Sequence, residues 1–363
     1  MTIGILGGGQ LGRMLALSGI PLGLQFRFLD PSPDAPAAQL GTHIAEDFND
    51  PEALQRFVPG LDVVTYEFEN VPVASARFLT ERVPVYPPVE ALEVAQDRLT
   101  EKSYFQKLDV PTPRFAAVNS REELDDAVAQ LGLPAVLKTR RFGYDGKGQM
   151  VLRESKDVAS AWQSLGGVPL ILEEFVPFER EVSILAVRAR DGATAFYPLV
   201  ENHHRAGILR LSLAPAPNLT PELQTLAEEH ARRLLQSLDY VGVLAIEFFQ
   251  CGQTLIVNEF APRVHNSGHW TIEGAVTSQF ENHMRAVCGL PLGETRALGH
   301  CAMHNIIGTL PDASRVLATP GAHLHLYGKQ PKPGRKLGHI SLCEQDESSL
   351  GRRNEEVAAC ITT

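Results

Sequence analysis

From Lys138 to Gln149 the chain reads KTRRFGYDGKGQ, with Lys138, Arg140, Arg141 and Lys147 set around Gly143, Gly146 and Gly148. Glycine backbone bends freely and brings its N–H groups close to phosphate oxygens, and the four cations would neutralise them. Apolar runs flank the stretch, Ala135 to Leu137 before it and Gln149 to Leu152 after it. The loop is therefore expected as a hairpin flap, not as the GK[ST] turn that opens a helix in a Walker A site. The bland alternative is a surface hairpin kept soluble by its cations.

A second chemical centre is VLAIEFFQCGQTLIVNEFAPRVHNSGH. Val243 to Phe249 and Thr254 to Phe260 read as β-runs joined by a tight turn, with Glu247 inside the first and Glu259 inside the second. Carboxylates in buried strands are costly unless paired or metal-bound. With Asn258 they suit oxygen ligation of Mg²⁺. A two-residue turn would put Glu247 and Glu259 on opposite faces. A three-residue loop at Cys251, Gly252 and Gln253, or a bulge of equal effect, puts them on one face about a diagonal step apart. Arg263, His265, Asn266, Ser267 and His269 follow, enough donors in seven residues for an oxyanion pocket or, more plainly, a polar surface loop.

Three further stretches carry polar chemistry. Gly7, Gly9 and Gly12 match GxGxxG between a strand (Thr2 to Leu6) and a helix (Gln10 to Ser18), and the next strand ends at Asp30. That pattern fits dinucleotide binding, another phosphate at the helix N-terminus, or an ordinary tight crossover. In PLILEEFVPFEREVSI, a strand exits through Glu173, Glu174, Phe175 and Val176, where backbone groups can meet an adenine edge; Glu181, in an exposed position, can take a ribose. A linker with surface acids is the alternative. Finally, GKQPKPGRK sets Lys329, Lys332, Arg335 and Lys336 at turns, either solvated surface or a seat for a substrate phosphate.

These stretches sit on an ordinary globular background. The chain has 363 residues, 44% hydrophobic and 21% charged, which is enough for two or three domains. A net charge of −10 leaves no basic excess for an extended nucleic-acid surface. Five scattered cysteines without CxxC argue for a reducing compartment and against a zinc site. No basic n-region and no membrane-length apolar run is present, so a cytoplasmic protein with no membrane partner is expected.

The elements that would position the chemistry follow in order. The first 90 or so residues read as a βαβ sheet, with a helix from Asp50 to Phe57, a strand from Leu61 to Tyr66 ending in the acids Glu67 and Glu69, and a short strand at Val83 to Val85. Glu90 to Leu108 has a helical pattern with Asp97, Arg98, Lys102 and Lys107 at polar positions. A β-rich unit with two helices spans about 112 to 175. Glu181 to Arg190 and Thr194 to Val200 form strands, His203, His204 and Arg205 lie in a loop, and Thr220 and Pro221 open a long amphipathic helix. The last twenty residues, after Leu342, read as helical and charged.

A basic strand-flap, a Glu exit strand and a hairpin with Glu then Asn-Glu resemble the ATP-grasp superfamily. The set GGGQLGRM, YEFENV, DRLTEK, GYDGKGQ, APRVHNSGHWT and PGRKLGH closely resembles the N5-carboxyaminoimidazole ribonucleotide synthetase family within it, from about residue 3 to 342. That resemblance implies an α/β and α+β ATP-grasp fold. It implies an N-terminal Rossmann-like pre-ATP-grasp domain (1–100), a small lid domain (101–178) and a large C-terminal domain (179–363), with a substrate-binding segment from about 300. It implies a cytoplasmic homodimeric ligase using ATP, Mg²⁺ (two ions) and bicarbonate on a small ribonucleotide.

Position by position, the resemblance implies Arg98 and Lys138 on ATP phosphates under a flap of Gly143, Tyr144, Asp145, Gly146, Lys147, Gly148 and Gln149. Glu173, Glu174, Phe175 and Val176 would hold adenine, Glu181 the ribose, and His204 would approach the nucleotide. Glu247, Asn258 and Glu259 would hold the metal; Arg263, His265 and Asn266 would grip bicarbonate. Glu67, Tyr144 and Asp145 would face the aminoimidazole. Lys329, Arg335 and Lys336 would take the ribose phosphate, and the Gly7–Gly12 turn, with Gln10 and Leu11, would line the substrate side. A sister ligase sharing the ATP half should differ at HNSGHWT and PGRKLGH. A dehydrogenase explains only Gly7 to Asp30.

Overall fold

The computed structural model describes residues 1–143 and 146–361, so Tyr144 and Asp145, both expected at the substrate, lie outside the described residues. The N-terminal strands β1 (Thr2–Leu6), β2 (Gln25–Leu29), β3 (Thr42–Ile44) and β4 (Val63–Tyr66) form a parallel sheet in the order β3-β2-β1-β4. Parallel pairing needs crossovers. Helices α1 (Gln10–Gly19) and α2 (Pro51–Phe57) serve β1-to-β2 and β3-to-β4. Val83 to Val85, expected as a strand, contributes a single bridge, Val85 to Val64.

Helix α3 (Val73–Thr80) precedes a segment expected as one helix and found as two, α4 (Val89–Ala95) and α5 (Arg98–Lys107). Asp97 separates them because its carboxylate accepts from the N–H groups of Leu99 and Thr100, an N-cap in extended backbone.

The lid is an antiparallel sheet, β5 (Phe115–Val118), β6 (Ala135–Thr139), β7 (Gln149–Leu152) and β8 (Leu170–Glu174), in the order β5-β8-β6-β7. Helices α6 (Arg121–Leu131) and α7 (Ser155–Leu165) cover it, and Ser120 caps α6. Strands β6 and β7 pair as a hairpin, so the glycine-rich stretch is a flap between strands.

The remaining strands form one large sheet. They are β9 (Arg180–Arg188), β10 (Thr194–Phe196), β11 (Val200–Arg205), β12 (Ile208–Ala214), β13 (Gly242–Cys251), β14 (Thr254–Ala261), β15 (His300–Ile307), β16 (His323–Leu326) and β17 (Lys336–Glu344). Their order is β14-β13-β9-β11-β12-β15-β17-β16, with β10 paired to β9. His203 and His204, expected in a loop, close β11 instead. The segment from about 300 adds β15, β16 and β17 to this sheet, and β17 runs past Leu342 to Glu344.

Strand alternation gives the sheet two unlike faces. Ile184, Ala186, Leu244 and Ile246 pack under helix α8 (Pro221–Ser237) and against Phe105 of α5. On the other face, Leu185, Val187, Val243 and Ala245 share a core with Trp270, Phe280 and Met284, and with Leu11 and Leu15 of α1. Helices α9 (Thr271–Gly274) and α10 (Gln279–Cys288) cover this second face; α11 (Ala313–Leu317) and α12 (Glu347–Ile361) follow at the C-terminal end.

One buried ion cluster joins lid to body. Glu173 of β8, 2% exposed, accepts from Lys138 Nζ at 2.9 Å and lies 3.6 Å from Lys102 Nζ. Lys102 was expected on a polar helix face; it has no exposed surface, and its ammonium also donates to the carbonyls of Val257 (3.0 Å) and Asn258 (2.5 Å). Burial alone would raise the Glu173 pKa, but the two ammonium groups outweigh it and hold it at about 2, against an ordinary 4.5. The depressed pKa gives the sign of the linkage. Glu173 stabilises the fold above pH 4.5, and that contribution fades as pH falls toward 2. Glu173→Gln should destabilise by about 3–5 kcal/mol in urea unfolding at neutral pH, because it strands two buried ammonium groups. Its stability should also vary less than wild type across that acid window.

Candidate active site

The carboxyl ends of β1 and β4, the flap and the polar end of the large sheet's second face enclose a cleft of about 560 Å³. Gly9, Glu67, Arg98, Lys138, Gly143, Lys147, Glu181, His204, Glu247, Glu259, Arg263, His265 and Lys336 all line it. So do Gln10, Leu11, Gly146, Gln149, Asn258, Asn266 and Lys329. The structure thus gathers most of the expected residues into one space. Glu173, Glu174, Phe175, Val176, Gly148 and Arg335 lie outside its lining.

At the glycine turn the anion is already present, and it is a side chain. Glu67 accepts from the N–H of Gly9 at 2.5 Å and from that of Gly12 at 2.6 Å. This is the place at the start of α1 where a dinucleotide would set its pyrophosphate. A Cβ on Gly9 would stand 2.4 Å from Glu67 Oε1, so the glycine is required by the carboxylate. Asp30, which in a dinucleotide site would meet a ribose, accepts from Gly8 N–H at 2.7 Å. Both acids of the apparent fingerprint are spent on the turn itself.

Glu69, two residues on, bonds Arg263 Nε and points that guanidinium into the cleft. Gln96 donates to the carbonyls of Glu69 and Val71, both at 2.8 Å, and steadies the loop. The flap is tied down at its root. Arg140 is bidentate to Asp97, at 3.0 Å through Nε and 2.8 Å through Nη2, and Arg141 donates to Gln96.

The β13–β14 hairpin closes in two residues, Gly252 and Gln253, since Cys251 pairs with Thr254. The three-residue loop is not formed, and a bulge supplies its effect. Glu247 pairs with Glu259 while Phe248 pairs with Val257, so Asn258 is the extra residue. The carboxylates therefore stand directly opposite, not a diagonal step apart. Arg98 Nη1 holds Glu259 at 2.8 Å, and its charge keeps that carboxyl low against the opposing pull of burial. Burial, then the Glu259 charge, lifts Glu247 to about 7. A facing pair of acids on one sheet face, with Asn258 beside them and one acid pushed up by the other, suits a divalent cation shared between them.

His204 Nδ1 meets Glu181 at 2.7 Å. Burial would lower the His204 pKa, but the Glu181 bond and the Glu247 charge raise it overall. Glu181 itself is partly buried, not exposed as expected. His203 turns away from the cleft toward Glu201.

The HNSGH stretch is held by partners far away in sequence. Gln279 accepts from His265 N–H (2.9 Å) and donates to its carbonyl (2.7 Å). Asn305 and Asn266 exchange amide hydrogen bonds at 3.0 and 2.7 Å. His265 Nε2 lies 3.2 Å from Glu247, and burial with the Arg263 charge drives its pKa to about 3. On the far side, Lys329 bonds Gln10. Glu101, Lys102, Gln279 and Asn305 were not singled out from the sequence for any role at this site. Glu69 was singled out only with Glu67, as an acid at a strand's ligand-binding carboxyl end or a solvated one, and not as the partner of Arg263.

Comparisons with known proteins agree along the whole chain. Residues 1–96 match the family model of the ribonucleotide synthetase preATP-grasp domain, 103–280 the ATP-grasp domain, and 301–353 the phosphoribosylaminoimidazole carboxylase C-terminal domain. An N5-carboxyaminoimidazole ribonucleotide synthase of Pseudomonas aeruginosa is 58% identical over 361 residues, covering 99% of both chains. One of Brucella melitensis is 46% identical, covering 94% of this chain and 95% of its own. The crystal structure of the Thermus thermophilus synthetase superposes with a TM-score of 0.96 at 59% identity, over 99% of each chain. A synthase from Aspergillus clavatus, in complex with ADP and 5-aminoimidazole ribonucleotide, gives 0.93 at 32% identity, over 99% of this chain and 98% of its own.

The filled glycine turn makes two expectations. NADH fluorescence should not change on adding the protein, and Gly9→Ala should lower stability by more than about 2 kcal/mol in denaturant melts. A saturable NADH response would show that Glu67 leaves the turn.

Proposed function

The chain belongs to the N5-carboxyaminoimidazole ribonucleotide synthase family of ATP-grasp ligases, and we propose the following assignment of that family's reaction to its cleft. The enzyme is an ATP-dependent carbon–nitrogen ligase. It carboxylates the amine of 5-aminoimidazole ribonucleotide to N5-carboxyaminoimidazole ribonucleotide in purine biosynthesis, with ADP and phosphate as the other products. The observation that carries the assignment is the continuity of the cleft. Lys138 and the flap, the Glu247–Glu259 pair with His265, Asn266 and His269, and Lys329 with Lys336 all line the same space.

ATP enters on the lid side. Lys138 and Arg98 neutralise its phosphates, and the flap from Gly143 to Gln149 covers them. Glu181, braced by His204, takes the ribose. Adenine lies along Glu173 to Val176 and is read by backbone only, because the Glu173 side chain is committed to two lysines. The N–H groups of Glu174 and Phe175 already serve the carbonyls of Arg114 and Pro134, which narrows the base contact toward Val176.

Glu247, Glu259 and Asn258 would hold Mg²⁺. When bound, it neutralises charge building up on the transferring phosphoryl group. Bicarbonate is a poor electrophile, and phosphorylation corrects that. A bicarbonate oxygen attacks the γ-phosphorus, the bond to the β-phosphate bridge breaks, and carboxyphosphate and ADP form. Arg263, aimed by Glu69, with His265 and Asn266, holds the bicarbonate in line for that attack. The amine of the ribonucleotide then becomes bonded to the carboxyl carbon as inorganic phosphate leaves. Glu67 and the Gly7–Gly12 turn, with Gln10 and Leu11, border the aminoimidazole. Lys329, Lys336 and Arg335 take the ribose phosphate. Carboxyphosphate decomposes in water, so a closing flap protects it. The same reading makes the enzyme a cytoplasmic homodimer without nucleic-acid or membrane partners. The cytoplasmic reading rests on the family's role in purine biosynthesis, the lack of a nucleic-acid partner on the acidic net charge of −10, and the homodimer on the family resemblance alone.

The deciding assay is ADP release from Mg-ATP and bicarbonate, with and without 5-aminoimidazole ribonucleotide. Strong stimulation with loss of the free amine is expected; ADP release indifferent to the ribonucleotide would point to another amine. Glu259→Gln should lower turnover at least about a hundredfold with the fold retained by circular dichroism. Lys336→Ala should raise KM for the ribonucleotide about tenfold and leave KM for ATP unmoved. A rise in the ATP value alone would remove Lys336 from the phosphate end.

A further inference from the structure

Behind the cleft, the second face of the large sheet carries a buried polar row where its other end is apolar. Ser212 Oγ donates to Asn202 Oδ1, Asn202 Nδ2 to Ser183 Oγ, and Ser183 Oγ to Ser267 Oγ, each at 2.8 Å. Ser267 Oγ then meets His265 Nδ1 at 2.9 Å. The three serines have no exposed surface, and Asn202 has 5%. Register puts them in a diagonal row, since Asn202 faces Glu181 while Ser183 faces Val200. Asn202 is opposite Ser212, Val200 opposite Ser183, and Ser183 opposite Glu247.

Proton counting gives the row a direction. A hydroxyl has one proton to donate. Ser183 accepts from an amide N–H and donates to Ser267, which leaves the Ser267 proton available for His265 Nδ1. A second observation is independent of how the Asn202 amide is turned. The backbone N–H of Ser267, which can only donate, also points at Nδ1, at 3.3 Å. Nδ1 therefore bears the lone pair, and the proton of the neutral ring sits on Nε2, facing Glu247 Oε1 at 3.2 Å.

We propose that Ser212, Asn202, Ser183 and Ser267 are positioning residues that fix His265 as its Nε2–H tautomer and present that N–H to the cleft. The opposite tautomer would turn a lone pair toward Glu247 and toward any anionic oxygen beside it. An N–H donor there orients an oxyanion without adding a full charge, and the long contact to Glu247 leaves it free to do so. This use of the N–H rests on the reading that His265 faces bicarbonate; the tautomer itself does not.

The test uses the full-length protein labelled with ¹⁵N-histidine, with His265 signals identified by their loss in His265→Gln. Long-range ¹H–¹⁵N correlation should show a protonated Nε2 and a bare Nδ1 in wild type. Ser183→Ala, which cuts the row in its middle, should bring in the second tautomer and raise KM for bicarbonate about tenfold, the scale of one hydrogen bond to a charged group, with KM for ATP unchanged. A purely structural row would instead lower stability and leave tautomer and bicarbonate KM alone. Should Ser183→Ala not fold, Ser212→Ala at the far end is read the same way. A protonated Nδ1 in wild type, or ring signals indifferent to the folded variants, overturns the proposal. A tautomer change without a change in bicarbonate KM keeps the relay and overturns the bicarbonate role of His265.

Discussion

A carboxylate with almost no exposed surface must be paired, and Glu173 is paired twice. Stripping water from an ion costs of the order of several kcal/mol, recovered only when opposite charge and hydrogen bonds stand in fixed places. Lys138 comes from the lid and Lys102 from α5. Lys102 in turn holds the carbonyls of Val257 and Asn258 in β14. Three elements therefore meet in one cluster, two of them on the acid and the third through Lys102. Lid, connecting helix and the β13–β14 hairpin are set relative to one another by a cluster whose separation would leave like charges buried together. The same cluster places the Lys138 ammonium at the cleft wall, so the architecture and a cleft cation depend on a single contact.

Elsewhere the protein reuses familiar parts for unfamiliar ends. A glycine turn with a following acid looks built for a dinucleotide, but Glu67 and Asp30 occupy its N–H groups from within. The turn becomes rigid framing for one wall of the cleft. The large sheet shows the same economy. Its second face is apolar from Leu185 to Val187 and polar from Glu181 to Ser183, so one strand supplies both core and site.

What was legible in the sequence was local. Glycines between apolar runs show a flap because hairpins and helix caps demand different neighbours. Ser120 and Thr220 show helix starts because their caps lie within three residues. The need for Glu247 and Glu259 to share a face was legible from strand period, although the bulge at Asn258, not the turn length, meets it. Long-range pairing was not legible. Lys102 reads as a solvated lysine because nothing nearby announces Glu173. Gln279 and Asn305 read as ordinary polar residues because their partners, His265 and Asn266, are brought to them only by tertiary folding. The split at Asp97 was missed because apolar spacing continues across it, and the cap acts in spite of that pattern.

The bulge at Asn258 also acts as a phase shifter. In an alternating strand every residue carries a parity, and one extra residue inverts the parity of all that follows. Here the inversion separates the stretch from Thr254 to Val257, whose apolar members Leu255 and Val257 are in phase with the core under α8, from Glu259, in phase with the cleft. Single-residue insertions or deletions within β14 beyond the bulge would thus be errors of phase, exchanging cleft side and core side at a stroke. Length changes at the Gly252–Gln253 tip lie on the other side of that marker and leave the phase at Glu259 untouched. The hairpin therefore has one end open to change in length and one end that is not, and a single unpaired asparagine marks the boundary.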